Sequence, residues 1–360
     1  MSINHENLTS QQWFEWGNLV TQDHNVSEAI HCYSNAIKLD SKFSEAHHKR
    51  GLLYVVQSDY DKALADFNFL VEVNPTDDQA FGNLGIILSK LQRLGEAEIA
   101  YRKAIVLNPS EFSAHTNLGV LLKHLNRHDE AKAAFQRAVE LNPASDIAHS
   151  NLGALFYNLK LFNEAEAHYR KAIELNPAND DAYDNLGTLL GNESLKRYNE
   201  AESAFRKALE LNPSSEKFFL NLGHLLYKLK RYSESEALLR KAIELNPNGS
   251  HAYYKLGHML YETGHTDEAE SALRNAIDIN PSDSNAYIVL GVLLQSKKYI
   301  KESEVAYHKA IELNPLDAMA FYDLGHLLDE EMGLYEEAEA AYRKAIELNP
   351  SFVDAYFNLT

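Results

Sequence analysis

The sequence predicts an all-α fold, an α-solenoid of paired helices, and three observations predict it. A glycine recurs at Gly17, Gly51, Gly85, Gly119, Gly153, Gly187, Gly223, Gly257, Gly291 and Gly325, at steps of 34 residues apart from one of 36. From Gly51 onward a proline follows, at Pro75, Pro109, Pro143, Pro177, Pro213, Pro247, Pro281, Pro315 and Pro350, which accounts for all nine prolines of the chain. Between glycine and proline, apolar and small residues keep i, i+4, i+7 spacing, one face of an amphipathic helix. Self-similarity at such a period marks stacked supersecondary units that bury a common core.

The first helix of each unit carries the glycine, as in HTNLGVLL over 115–122. Gly costs about 1 kcal/mol against Ala inside a helix and Asn about half that, so both need a purpose. The glycine is expected where the paired helices approach too closely for a Cβ. In the second helix, small residues at Ala97, Ala131, Ala165 and Ala201 precede a ring at Tyr101, Phe135, Tyr169 and Phe205, then alanine at Ala104, Ala138, Ala172 and Ala208. Leu239 and Leu273 replace the ring, and Ser235 and Ser303 the small alanine. Asp61, Asp129, Asn163, Ser233 and Asp267 are expected to cap this helix. The recurrent Asn-Pro ends it, because a residue before proline is pushed out of the helical region. Thr76, Ser110, Ser214, Ser282 and Ser351, each after the proline, are expected to cap the next helix.

This pattern of Leu-Gly in one helix, Ala and a ring in the next, and a closing proline resembles the tetratricopeptide repeat family. The resemblance divides the chain into a leader over 1–9, ten tandem helix-turn-helix repeats (10–43, 44–77, 78–111, 112–145, 146–179, 180–215, 216–249, 250–283, 284–317 and 318–352), and the start of an eleventh or capping helix over 353–360. It also implies a right-handed superhelix whose first helices line a concave groove. Repeat six carries two extra residues in GNESLKRYNEA and repeat ten one in DEEMGLYEEA, both expected in the loop between paired helices.

Composition narrows the function classes. The chain has 360 residues, 45% hydrophobic and 24% charged, too apolar for disorder. No window is apolar enough to span a membrane, and MSINHENLTSQQ lacks a basic start and an apolar core, so an unexported, cytoplasmic protein is expected. The single cysteine, Cys32, rules out an internal disulfide and reads as a small buried side chain. A net charge of −18 spread along the chain argues against DNA or RNA as partner.

Asparagine stands two residues before the glycine at Asn83, Asn117, Asn151, Asn185 and Asn221. In the family that position faces the groove, and the row resembles the asparagine ladder of the repeat arm of peptide O-GlcNAc transferases. An amide offers a donor and an acceptor, the complement of an extended peptide backbone; the alternative is that each Asn bonds a neighbouring repeat. A backbone-reading groove is expected over repeats three to seven. Beyond it lie more selective contacts, with His224 and Tyr227 in repeat seven and Lys255, His258 and Tyr261 in repeat eight forming a polar, aromatic patch. At the same register Lys255, Val289 and Asp323 take the place of Asn. His224, His251 and His258 do not read as a metal site, since equivalent positions of adjacent repeats lie about 10 Å apart. Lys49, Lys90, Lys123, Lys217, Lys228 and Lys255 roughly offset Glu45, Asp181, Asp184 and Glu262 along the groove. Phe14, Asn18, Lys49, Gln79 and Asn83 stand where family members that clamp acidic chaperone tails need mostly cations, so that mode is not supported.

Neither a phosphate-cradling glycine loop, nor a His-Glu-x-x-His helix, nor a G-x-S-x-G elbow is present. No catalytic residues, cofactor or metal are expected. The leading reading is a protein-interaction scaffold that binds an extended peptide or a partner helix. The alternative is the substrate-recognition arm of a larger enzyme, such as a protein O-glycosyltransferase, cut at residue 360. Phe352, Tyr356, Phe357 and Leu359 lack a following repeat, which makes self-association through that end a third reading.

Overall fold

A computed structural model describes residues 8–22 and 25–359; the leader expected over 1–9 lies, apart from Leu8 and Thr9, outside them. The chain divides into two units, Met1–Asn179 and Asp180–Thr360. The first holds α1 (Ser10–Gln22), α2 (Val26–Leu39), α3 (Ser44–Val56), α4 (Tyr60–Val73), α5 (Asp78–Lys90), α6 (Leu94–Leu107), α7 (Phe112–His124), α8 (His128–Leu141), α9 (Asp146–Asn158) and α10 (Phe162–Leu175). The second holds α11 (Asp180–Leu190), α12 (Tyr198–Leu211), α13 (Glu216–Lys228), α14 (Tyr232–Leu245), α15 (Ser250–Glu262), α16 (Thr266–Ile279), α17 (Ser284–Ser296), α18 (Ile300–Leu313), α19 (Ala318–Glu330), α20 (Tyr335–Leu348) and the short α21 (Val353–Asn358). The described residues are helical without strands, and odd and even helices pack as antiparallel pairs. Within each unit consecutive odd helices also touch, α5 with α7 and α7 with α9, then α11 through α19 in steps. In each unit they form one face, and the candidate site residues lie on these faces.

The glycine and the ring of the second helix are two halves of one contact. A Cβ on Gly119 would lie 2.7 Å from Cδ1 and Cε1 of Phe135, and on Gly291 2.6 Å from Cε1 of Tyr307. Phe135 and Tyr307 are wholly buried, and full burial of such a ring contributes about 2–3 kcal/mol, more than the helix propensity that glycine gives up. Where Leu239 replaces the ring, Gly223 is looser, with the nearest leucine carbon at 3.3 Å. Ser235 and Ser303 donate their hydroxyls to the carbonyls of Gly223 and Gly291, each at 2.7 Å, so both are buried with a partner. Cys32 is buried as expected, and burial pushes its thiol up to about 11. The longer loops of repeats six and ten lie between α11 and α12 and between α19 and α20, as expected.

The capping expectations are corrected. The second helices begin earlier, so Asp61, Asp129, Asn163, Ser233 and Asp267 lie inside the first turn rather than at the cap. Asp59 caps α4 through the Lys62 N–H, while in α6, α8, α12 and α14 the cap position holds Arg93, Arg127, Arg197 and Arg231, whose guanidinium groups pair with Glu96, Glu130, Glu200 and Glu234 three residues on. The turn ahead of the cap reverses the chain through left-handed backbone at Ser58, Gln92, Asn126, Lys160, Lys196, Lys230 and Lys298, and at Gly264 and Gly333. At Lys160 its own N–H donates to the Tyr157 carbonyl at 3.0 Å and the Leu161 N–H to the Phe156 carbonyl at 2.9 Å, which closes the end of α9.

The serine or threonine after the proline does not cap either. Thr76, Ser110, Ser214 and Ser351 donate their hydroxyls to the side-chain oxygen of the asparagine before the proline, at 2.7–2.9 Å. The caps come from later residues, Asp77 to the Ala80 N–H and Asp283 to the Ala286 N–H. The asparagine's amide in turn reaches the first turn of its own repeat, Asn108 to Asp78 and Asn176 to Asp146. With Asn212 to Asp180 and Asn246 to Glu216, it ties the end of these pairs to their beginning.

Candidate functional site

The asparagine register falls on the odd-helix face, partly buried at each position. In the N-terminal unit Asn83, Asn117 and Asn151 sit on α5, α7 and α9, and their side chains make no hydrogen bond to any described residue. Asn117 lines a cavity of about 510 Å³ between α5 and α7, walled by Ile86, Ser89, Val120 and His124, with Tyr101 of α6 behind them. Lys123, one turn past Gly119, has no ion-pair partner among the described residues, and burial pushes its ammonium below the usual lysine range. The face thus offers amides, an apolar hollow and the unpaired cation of Lys123.

In the C-terminal unit Asn185 is likewise without a partner, whereas Asn221 is engaged. Its amide donates to Asp184 Oδ1 at 2.8 Å, and Lys217 Nζ lies 3.0 Å from the other carboxylate oxygen. Asp184 is 1% exposed; burial raises its pKa, while Asn221 and Lys217 pull it down. The two competing readings of the asparagines therefore divide, with a neighbour-bonding role at Asn221 and free amides at the other four. The distinguishing signal lies three residues before the glycine of the preceding repeat. There Asn221 finds Asp184, whereas Asn117 has Gly82 and Asn151 has Thr116, whose hydroxyl bonds its own helix at the Phe112 carbonyl.

His224, Tyr227 and His258 lie close together. Ring centroids are 6.2 Å apart for His224 and Tyr227 and 5.7 Å for Tyr227 and His258. Tyr254 stacks on His258 and carries Lys255 Nζ 5.4 Å from its ring centroid. Burial, then the nearby Lys255 and Lys228 charges, hold His224 at about 4, so it is neutral at physiological pH, and its buried Nδ1 has no partner. Burial and a hydrogen bond with Glu262 push the Tyr227 hydroxyl above its ordinary range. No three metal-ligating side chains converge among the described residues. Tyr261 packs against the core formed by Leu239, Leu256 and Leu273.

Of the groove lysines, Lys217 pairs with Asp181 and Asp184, and Lys228 with Glu193 of the long loop. Lys255 is without an ion pair among the described residues, and burial lowers its pKa. Sequence reasoning missed a buried network in the N-terminal unit, where Arg50 clasps Asp66 with two nitrogens at 2.9 and 2.7 Å and His47 Nδ1 meets the same carboxylate at 2.7 Å. At the C-terminal end Phe352 packs on Tyr322 at 4.8 Å and Leu359 joins that core, so Tyr356 and Phe357 remain as the exposed rings. No helix among the described residues is long and apolar enough to cross a membrane.

Comparison with known proteins follows this geometry. Sequence models described as tetratricopeptide repeat match residues 48–112, 112–145, 147–179, 168–203, 194–258, 232–293, 284–315 and 306–340, and one described as TPR repeat matches 331–359. A cell division cycle protein 27 homolog of Caenorhabditis elegans is 34% identical over 85 residues, 23% of this chain and 11% of that protein. A UDP-N-acetylglucosamine--peptide N-acetylglucosaminyltransferase of Giardia intestinalis is 30% identical over 73 residues, 20% of this chain and 5% of that protein. The matches thus span only a small part of these relatives. The crystal structure of the APC/C hetero-tetramer Cut9-Hcn1 has the same fold, with a TM-score of 0.60 at 15% identity over 97% of this chain and 75% of that chain. With the glycine and ring contacts in register and repeat models from residue 48 to 359, the chain belongs to the tetratricopeptide repeat family.

Proposed function

We propose that the chain is a protein-interaction scaffold that holds an extended peptide, or a partner helix, against the odd-helix face. The repeat architecture fits a protein-interaction role. The observation that carries the finer reading is the set of free amides at Asn83, Asn117 and Asn151, in one register on α5, α7 and α9. An amide held at a partly buried surface without a partner is positioned to exchange hydrogen bonds with a passing backbone. The polar, aromatic patch of His224, Tyr227, Lys255, His258 and Tyr261 adds side-chain selectivity in the C-terminal unit. Replacing Asn83, Asn117 and Asn151 together by Ala tests this against peptides selected from a random library on the wild-type protein. At roughly 1 kcal/mol per hydrogen bond, affinity falls about a hundredfold, while the melting temperature stays within about 2 °C. A matching loss of stability, or unchanged affinity, refutes the reading.

The second reading, a substrate-recognition arm of a larger protein O-glycosyltransferase, is favoured by the Giardia transferase match alone. A reading frame that continues past residue 360 into a catalytic domain would support it.

A further inference from the structure

The register that carries asparagine earlier in the chain holds Lys255, Val289 and Asp323 on α15, α17 and α19 of the C-terminal unit. Neither charged group forms an ion pair among the described residues. Lys255 has no carboxylate partner, and Asp323 neither accepts a hydrogen bond nor forms an ion pair with any described residue. The hydroxyls of Tyr261, Tyr307 and Tyr322 nevertheless feel the charge of Asp323, and a second carboxylate, Asp317, acts on Asp323 in turn. Burial and Asp317 push Asp323 up to about 7. A partly buried carboxylate without a cation of its own is a receptor for a cation from outside.

Adjacent first helices stand about 10 Å apart, so Lys255 and Asp323, two repeats apart, are separated by about 20 Å. They do not neutralise each other across that span. An extended chain covers it in about six residues, passing the partly buried Val289 midway. Resting on the peptide-binding reading, we propose that this face selects an extended segment with an acidic side chain at Lys255 and a lysine or arginine about six residues away at Asp323. Opposite charges at the two ends fix the direction in which the segment lies.

The test is selection of a random 14-residue peptide library on the full chain, on Asp323→Asn, and on the charge-exchanged variant Lys255→Glu/Asp323→Lys. Wild type is expected to enrich acidic and basic residues five to seven apart in one order. Replacing the basic residue of a selected peptide by alanine should weaken binding about tenfold to wild type and less than twofold to Asp323→Asn. The charge-exchanged variant should select the reverse order. Peptides bound without a fixed charge order, or an unchanged basic preference in Asp323→Asn, overturn the proposal and leave peptide binding standing. Recovery of no peptide by folded wild type overturns the peptide-binding reading itself, and this proposal with it. Circular dichroism on each variant separates lost selection from lost folding.

Discussion

Substituting alanine at three glycines of first helices should give three different outcomes, because the neighbours differ while the backbone does not. Each gains about 1 kcal/mol of helix propensity. At Gly82, inside α5, a Cβ meets nothing within 4 Å, so Gly82→Ala should stabilise by about 0.5–1 kcal/mol. At Gly119 the Cβ would fall 2.7 Å from two carbons of Phe135, closer than real contacts allow. That ring is wholly buried and has nowhere to retreat. Overpacking costs about 1–3 kcal/mol. After the propensity gain, Gly119→Ala should destabilise by up to about 2 kcal/mol, and Gly119→Leu by more. Gly223 lies between them, since the Leu239 carbons at 3.3 Å can shift by a few tenths of an ångström, and its alanine variant should be near neutral. Urea unfolding followed at 222 nm, with the m-value checked against wild type because stacked repeats need not unfold in two states, reads all three. If Gly119→Ala were as stable as Gly82→Ala, the glycine would not be there to admit the ring.

Three further outcomes follow from single side chains. Lys160 and Lys230 close helices with φ of 60° each, a conformation costly for any residue with a Cβ, so Lys160→Gly and Lys230→Gly should each stabilise by about 0.5–1 kcal/mol in urea. Asp66→Ala should destabilise by about 2–4 kcal/mol, because it leaves Arg50 and the buried His47 without their shared carboxylate; Asp66→Asn should recover only part of this. For Asp323 the sign runs opposite to the usual carboxylate. Its folded pKa of about 7 exceeds the ordinary aspartate value of 3.8, so the folded state binds the proton more tightly. The resulting penalty is absent below about pH 4, grows up to pH 7 and is full above it. Asp323→Asn should therefore match wild type at pH 4 and exceed it at pH 8 by about 1–2 kcal/mol, allowing for solvent at the carboxylate; a gain that does not vary with pH would refute this.

The fold was legible because its main contact is written ten times. Gly119 and Phe135 lie 16 residues apart, and the same two positions recur at each period, so the pair stands out although neither residue is diagnostic alone. Helix ends were less legible for a physical reason. The residue that turns the chain is glycine only at Gly264 and Gly333, and lysine, asparagine, glutamine or serine elsewhere, so the usual mark of a left-handed position is missing and the second helices were placed too late. The Arg50, Asp66 and His47 network occurs in one repeat, and a contact without a period leaves no pattern to read. The site divides on the same principle. Position alone made Asn117 and Asn221 equivalent, and it did place both on the odd-helix face. What separates them is whether the preceding repeat offers a carboxylate, as Asp184 does for Asn221, or no side chain at all, as at Gly82 for Asn117. An amide whose donor meets Asp184 stabilises the stack, and on the proposed reading one with nothing opposite is left for a ligand. The periodic glycine and ring thus carry the architecture, while on the proposed reading the unpartnered asparagines, with the departures at Lys255 and Asp323, carry recognition.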